Sequence, residues 1–374
     1  MFIPVSRPNL SDVEKAYVNE ALNLNAISGI FGNFIDKFET EFAKFCGTKF
    51  AVSCSNGTTA LHLALVASGV KEGDEVLVST LTNMASFFAV LYIKAKPIPV
   101  DINIETLTMD PDDLLRKITK KSKAIMPVHL FGHPVDMDPI NNIAKIHNLL
   151  VVEDCAEAHG AEYKGRKVGN LSNAGCFSFF ANKILTTGEG GMITTNDPAI
   201  ARKARSLKAL AFGTSNKFMH EDIGFNYRMT NIQAAIGCGQ MIRANELIDK
   251  RRKIAFFYSE KFKNYRDYLR LPIEMSYAKS SYWMYHVVLC DALIPKRYEI
   301  MTLLKEAGIE TREGFIPFNM QKIFIERGLT KPEDCSIANM VAYSSFYLPS
   351  GPEISEMELD YVSNQLCLII DKLK

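Results

Sequence analysis

Between residues 50 and 155 the chain alternates short apolar runs with helix-length segments, and this alternation constrains the fold more than any other feature. "FAVSCS" reads as a buried strand and "NGTTALHLALVASGV" as a glycine turn followed by a helix. "DEVLVST" is a strand, "MASFFAVLYIKA" a helix and "KPIPVDI" a strand. "KAIMPVHLFG" is a strand, "MDPINNIAKIHN" a helix and "LLVVEDC" a strand. Strands separated by helices of this length build βαβ units, and βαβ units build a parallel sheet with helices on its faces.

The pattern is expected to run to about residue 245. Ser11 and Glu14 form a capping box that opens a helix through about Leu24, and aromatics at helical spacing mark a second helix over 34–46. "LIDKRRKIAFFYSEKFKNY" reads as a long amphipathic linking helix. Beyond it, strand-like pieces such as "SSYWMYHVVLC" and "IETREGF" alternate with helices such as "RYEIMTLLKEAG". The expected division is a large domain over 1–245 and a smaller α+β domain over 246–374.

Composition excludes several classes. A net charge of +1 provides no global field for nucleic acid or an anionic membrane. No apolar run is long enough to span a bilayer, and the first residues contain no signal-type apolar stretch. The eight cysteines form no CxxC pair and no zinc-ligand spacing, so no metal site is expected and the thiols read as buried and reduced in a cytosolic protein.

Three segments carry chemistry. In "SCSNGTTALHLAL" a strand ends, Gly57 permits a tight turn, and Thr58 and Thr59 open a helix whose first N–H groups can hold an anion. The segment has neither the GK[ST] of a Walker loop nor a GxGxxG pattern. In "LLVVEDCAEAHG" Asp154 stands at the carboxyl end of an apolar strand, the edge where open α/β sheets bind ligands. In "FSFFANKILTTGEGGMITTND" Lys183 lies in a segment that otherwise reads as interior, and burial frees its amine as nucleophile and base. Gly188, Gly190 and Gly191 let backbone pass close to a flat group. A phosphate anchor, a carboxylate and a lysine are the contacts that a pyridoxal phosphate site needs.

These residues lie in longer segments that resemble the DegT/DnrJ/EryC1/StrS sugar aminotransferases, within the fold-type I pyridoxal phosphate enzymes. "SNGTTALHLAL", "GDEVLV", "VHLFGHPVDM", "VVEDCAEAHGAEYKGRKVG", "FSFFANKILTTGEGGM", "GFNYRMTNIQAAIG" and "YLPSGPEIS" carry the resemblance almost end to end. The group it looks most like is that of the GDP-perosamine synthases. The resemblance implies an aspartate aminotransferase-like α/β large domain and pyridoxal 5′-phosphate as cofactor. It implies that Lys183 binds the cofactor covalently, that Asp154 pairs with its ring nitrogen, and that Glu157 contacts the region of its O3′. Gly57, Thr58 and Ser178 would hold the phosphate. Asn226 would reach the phosphate in a neighbouring subunit, which makes the protein a homodimer with shared sites.

The resemblance further implies glutamate as amino donor and a nucleotide-linked keto sugar as acceptor. Its implied form is GDP-4-keto-6-deoxymannose, for surface polysaccharide. Arg312 is the residue expected on the diphosphate, and the segments 25–39 and 282–318 are expected around the cleft. Asn83 stands where the family usually has an aromatic that stacks on the cofactor ring. Asn319 stands where perosamine synthases tend to have histidine, which loosens the assignment of the sugar. His159 is left outside the catalytic set. An aminotransferase for another nucleotide sugar or an aminocyclitol stays open, as does a non-catalytic regulator; a sugar dehydratase of the same fold would carry histidine in place of Lys183.

Overall fold

The computed structural model describes residues 2–374. Seven strands form the central sheet: β1 (Phe50–Cys54), β2 (Glu75–Ser79), β3 (Lys96–Val100), β4 (Ser122–Met126), β5 (Leu150–Asp154), β6 (Ala174–Ser178) and β7 (Gly191–Thr195). Their order is β1-β7-β6-β5-β4-β2-β3. The sheet is buried on both faces, so its strands read as continuous apolar runs rather than as alternating ones. Successive residues still part to opposite layers: Leu77, Ile125 and Val151 enter one core, and Val76, Val78, Ala124, Met126 and Val152 the other.

The expected βαβ order holds through β5, and the expected elements lie within a few residues of those observed. The sheet departs from parallel at β7, which runs antiparallel to both β1 and β6. The reason is local. Residues 179–190 contain no crossover helix, and a return without one is antiparallel. Ser178 pairs with Gly191, which closes these residues into a loop at the sheet edge, and Lys183 is on that loop.

The capping box at Ser11 forms, with the Glu14 carboxylate accepting the Ser11 N–H at 2.7 Å. The linking helix spans Ala244–Lys261. Beyond it Leu269–Arg270, Tyr285–Leu289, Ser345–Leu348 and Arg312–Glu313 make an antiparallel four-stranded sheet with its own core. The start of the chain packs on this part. Ile3 donates its N–H to Gly308 at 2.9 Å, and its side chain belongs to the same core. Among the described residues no helix is long and apolar enough to cross a membrane.

Candidate active site

The carboxyl ends of the parallel strands meet at one sheet edge, and Asp154 is the last residue of β5. Its carboxylate is buried. Oδ2 accepts the Ser86 hydroxyl at 2.7 Å and Oδ1 the Ala156 N–H at 3.1 Å. Burial pushes its pKa up; the Ser86 hydroxyl, the Ala156 N–H and the charge of Lys183 pull it back down.

Lys183 projects from the β6–β7 loop with its Nζ 3.8 Å from Glu157 Oε1. Burial lowers the Lys183 pKa, against the opposing fields of Glu157 and Asp154. Burial also raises Glu157 to about 7, against the attraction of Lys183 and the Phe131 N–H, which reaches Glu157 Oε2 at 3.0 Å. Phe131 makes that bond from a left-handed backbone conformation with φ of 52°, a strained state for a residue with a Cβ. Trp283, from the second part of the chain, covers the lysine: its ring centre is 3.9 Å from Nζ. The Trp283 indole N–H donates to the Asn182 carbonyl at 2.8 Å. Its backbone carbonyl accepts the buried Arg251 guanidinium at 2.7 Å, which holds the backbone from which the ring projects.

The third component is the start of the helix Gly57–Ala67. Asn56 caps it, Oδ1 accepting the Thr59 N–H at 2.9 Å and the carbonyl accepting the Ala60 N–H at 3.1 Å. The N–H groups of Gly57 and Thr58 remain for a ligand at the positive end of the helix dipole. Gly57 abuts Ser178: an added Cβ would lie 2.7 Å from the Ser178 Cβ. Any larger residue would push the helix start away from that hydroxyl.

All three components border one cavity of about 470 Å³. It brings together Gly57, Thr58, Asp154, Glu157, Ser178, Lys183 and Arg312. Asn83 also lines it, while its Oδ1 accepts the Ala85 N–H at 3.0 Å. Aromatic walls come from Phe180, Trp283, Phe315 and Tyr347.

Three residues singled out from the sequence lie elsewhere. Asn226 is exposed and off this cavity, its Oδ1 accepting from Arg228 at 2.9 Å. Asn319 is fully buried and off the cavity. It accepts from Thr80 at 2.9 Å and donates to the Pro332 carbonyl at 2.8 Å and to Asn339 at 2.7 Å. That corrects the reading of Asn319 as a mark of sugar identity, because its side chain is spent on joining the exit of β2 to the segment 332–339. His159 is buried among Phe42, Phe177 and Phe179, and burial lowers its pKa to about 3. The segment 25–39 does not border the cavity either.

The DegT/DnrJ/EryC1/StrS aminotransferase family profile matches residues 8–367. The chain belongs to that family. The GDP-perosamine synthase of Caulobacter vibrioides is 42% identical over 360 residues, covering 96% of each chain. The GDP-perosamine synthase of Escherichia coli O157:H7 is 42% identical over 365 residues, covering 98% of each. A putative sugar aminotransferase of Streptococcus pneumoniae, solved in its PLP form, superimposes with a TM-score of 0.94 at 26% identity over 100% of both chains.

As a member of the DegT/DnrJ/EryC1/StrS family, the protein is a pyridoxal phosphate-dependent sugar aminotransferase. Its cavity fits that cofactor: an amine of lowered pKa, a buried carboxylate and a helix start with free donors face one space. Sequence reasoning missed Ser86 as part of this site and reached Trp283 only as a member of the segment 282–318. Within that segment the one signal for Trp283 is that the chain has a single tryptophan; Ser86 has none, because only the docking of its helix against β2 and β3 brings it to Asp154.

Proposed function

We propose that this aminotransferase moves the amino group of glutamate to the keto carbon of GDP-4-keto-6-deoxymannose, giving GDP-perosamine for surface polysaccharide, as a cytoplasmic homodimer. The observation that carries the reaction type is the placement of Lys183, Asp154 and the start of the helix Gly57–Ala67 around one cavity. The 42% identity over nearly the whole chain to two GDP-perosamine synthases supports the sugar.

Pyridoxal phosphate, when bound, supplies an electron sink that stabilises negative charge at the carbon next to the transferred nitrogen. Asp154 keeps the ring nitrogen protonated, which maintains that sink. Lys183 holds the cofactor and then, as a free amine, moves the proton between the substrate carbon and the cofactor. Glu157 would hold the O3′ side of the ring, with its Oε1 3.8 Å from the Lys183 amine and within its field. Gly57, Thr58 and Ser178 would bind the phosphate and so hold the cofactor without need of Lys183. Arg312 borders the same cavity on the substrate side and takes the diphosphate.

Charge supports the dimer. The acids bordering the cavity are Asp154, Glu157 and Glu189 and the cations Lys183 and Arg312, a formal balance of −1. A cofactor phosphate and a sugar diphosphate call for more positive groups than one chain supplies. Arg228 of a second copy is suited to supply one, with Asn226 as a neutral donor beside it, since neither borders its own chain's cavity.

The test is competition in the second half-reaction. Loaded enzyme is treated with glutamate, then with GDP-4-keto-6-deoxymannose in the presence of GDP, UDP or dTDP, and the amino sugar is detected by mass. GDP is expected to inhibit most strongly. Equal inhibition by UDP or dTDP removes the GDP assignment, and no inhibition by any of them removes the nucleotide.

A further inference from the structure

Asp154 is only 4% exposed, and a cation whose field acts on it, Lys183, loses its charge during the reaction. While Lys183 is charged, its field helps to hold Asp154 ionised. Once the lysine nitrogen is a neutral amine, that help is lost. A buried carboxylate without compensation takes up a proton, and a protonated Asp154 cannot hold the proton of a ring nitrogen.

Two hydrogen bonds remain, the Ala156 N–H on Oδ1 and the Ser86 hydroxyl on Oδ2. The Ser86 hydroxyl is fully buried and has one proton to give. Three acceptors are in reach, Asp154 Oδ2 at 2.7 Å, Thr82 Oγ1 at 3.0 Å and the Asn83 carbonyl at 3.2 Å. The nearest and charged one takes it. Thr82 Oγ1 lies 3.0 Å from Ser86 Oγ. Since the Ser86 proton is committed, Thr82 is the donor in that pair. The result is a buried chain of hydroxyls directed at the carboxylate, and such chains polarise one another. Its frame is held at both ends: the Asn83 side chain accepts the N–H of Ala85, the first residue of the helix that carries Ser86, and Thr80 at the exit of β2 is bonded to Asn319.

Resting on the aminotransferase reading above, we infer that Ser86, backed by Thr82, is a positioning residue that keeps Asp154 ionised toward the ring nitrogen of the cofactor throughout the reaction cycle. Of the forces that oppose the effect of burial on Asp154, the Ser86 bond is the largest. The other titratable groups around Asp154 are Lys183, Glu157, His129, Cys155 and Cys176. Burial keeps both thiols neutral. His129 has its Nε2 3.1 Å from Glu153 and its Nδ1 accepts the Val135 N–H, so it is committed elsewhere.

The experiment compares the full chain, loaded with pyridoxal 5′-phosphate, as wild type, Ser86→Ala, Ser86→Thr and Thr82→Val. Two quantities are read against pH: the absorbance of the bound cofactor and the rate of its bleaching by glutamate. Ser86→Ala is expected to retain the cofactor, because the phosphate anchors are intact. The acidic limb of both profiles should move to higher pH by about one unit, with a loss of about tenfold in bleaching rate at the acid end, the scale of one hydrogen bond to a charge. Ser86→Thr should restore both, and Thr82→Val should shift both in the same direction by less. Superimposable wild-type and Ser86→Ala profiles, or a threonine that behaves like alanine, overturn the inference and leave the aminotransferase reading intact. Wild type that never takes up the cofactor overturns both.

Discussion

The amine of Lys183 lies 3.9 Å from the centre of the Trp283 ring, and Trp283 is the only tryptophan in the chain. The two residues come from different parts of the sequence. The lysine is on the β6–β7 loop and the tryptophan precedes the strand Tyr285–Leu289. The indole N–H on the Asn182 carbonyl ties the ring to the lysine loop, so the second part of the chain sets the surroundings of the amine. The ring face attracts a charged ammonium, while burial favours the neutral amine.

This contact makes intrinsic fluorescence a reporter of one place. Loading the protein with pyridoxal 5′-phosphate should quench the Trp283 emission, and borohydride should then fix the cofactor on Lys183 alone. Lys183→Ala should show the same quenching without covalent capture, and should lose turnover. Emission that does not respond to the cofactor, or a label mapped to another lysine, would contradict the placement of the site.

Glu157 predicts a pH dependence of the cofactor-free protein. Its pKa rises from the ordinary 4.5 to about 7 on folding. The folded state therefore binds the Glu157 proton more tightly than the unfolded chain does. Its contribution to stability is fully present below pH 4.5 and is lost as pH rises through about 7. Glu157→Gln removes this loss while Lys183 still titrates in both proteins. The variant should thus gain on wild type by about 2 kcal/mol between pH 5 and pH 8. Urea denaturation at both pH values measures this, and parallel stability curves would refute it.

Asn319 should matter for stability and not for the choice of sugar. Its three hydrogen bonds are all internal, and removing the side chain leaves the buried Thr80 hydroxyl without its acceptor. Asn319→Ala is expected to cost about 2 kcal/mol and to leave the ranking of GDP, UDP and dTDP unchanged. A changed ranking in a protein of normal stability would return Asn319 to the substrate site.

The fold was largely legible because its signals are local. Strands buried on both faces announce themselves as apolar runs, and a capping box needs only Ser11 and Glu14. The direction of β7 was not legible, since it follows from what the loop 179–190 lacks rather than from any residue in β7. The site divides along the same line. Asp154 and Lys183 stand in segments whose neighbours mark a sheet edge and an interior loop. Ser86 and Trp283 reach them only through the docking of a helix and of the second part of the chain. What Asn319 does was not legible for a related reason: a departure from a family's usual histidine does not show the side chain's partners, here Thr80, Pro332 and Asn339.

Assembly is the remaining prediction. The segment 28–31 is pinned beside the start of the helix Asn231–Ile242, with Asn231 Nδ2 donating to the carbonyls of Ser28 at 2.6 Å and Phe31 at 2.8 Å. Gly29 packs so closely there that an added Cβ would come 2.7 Å from the Met229 carbonyl. Ile27, Ile30 and Phe31 are exposed on and beside this segment, and Ile223 is exposed three residues before Asn226; exposed apolar groups in a patch mark an interface. If this face joins two copies and Asn226 reaches the other copy's cofactor phosphate, cofactor binding and dimerisation are linked by mass action. Sedimentation should show a dimer that loosens when the cofactor is removed, and Ile30→Asp should yield monomer. Asn226→Ala should weaken cofactor binding by about tenfold, the scale of one hydrogen bond to a charged phosphate, while thermal unfolding of the cofactor-free protein stays unchanged. A fully active monomer would overturn the shared site, and so would an Asn226→Ala protein that binds cofactor as wild type does.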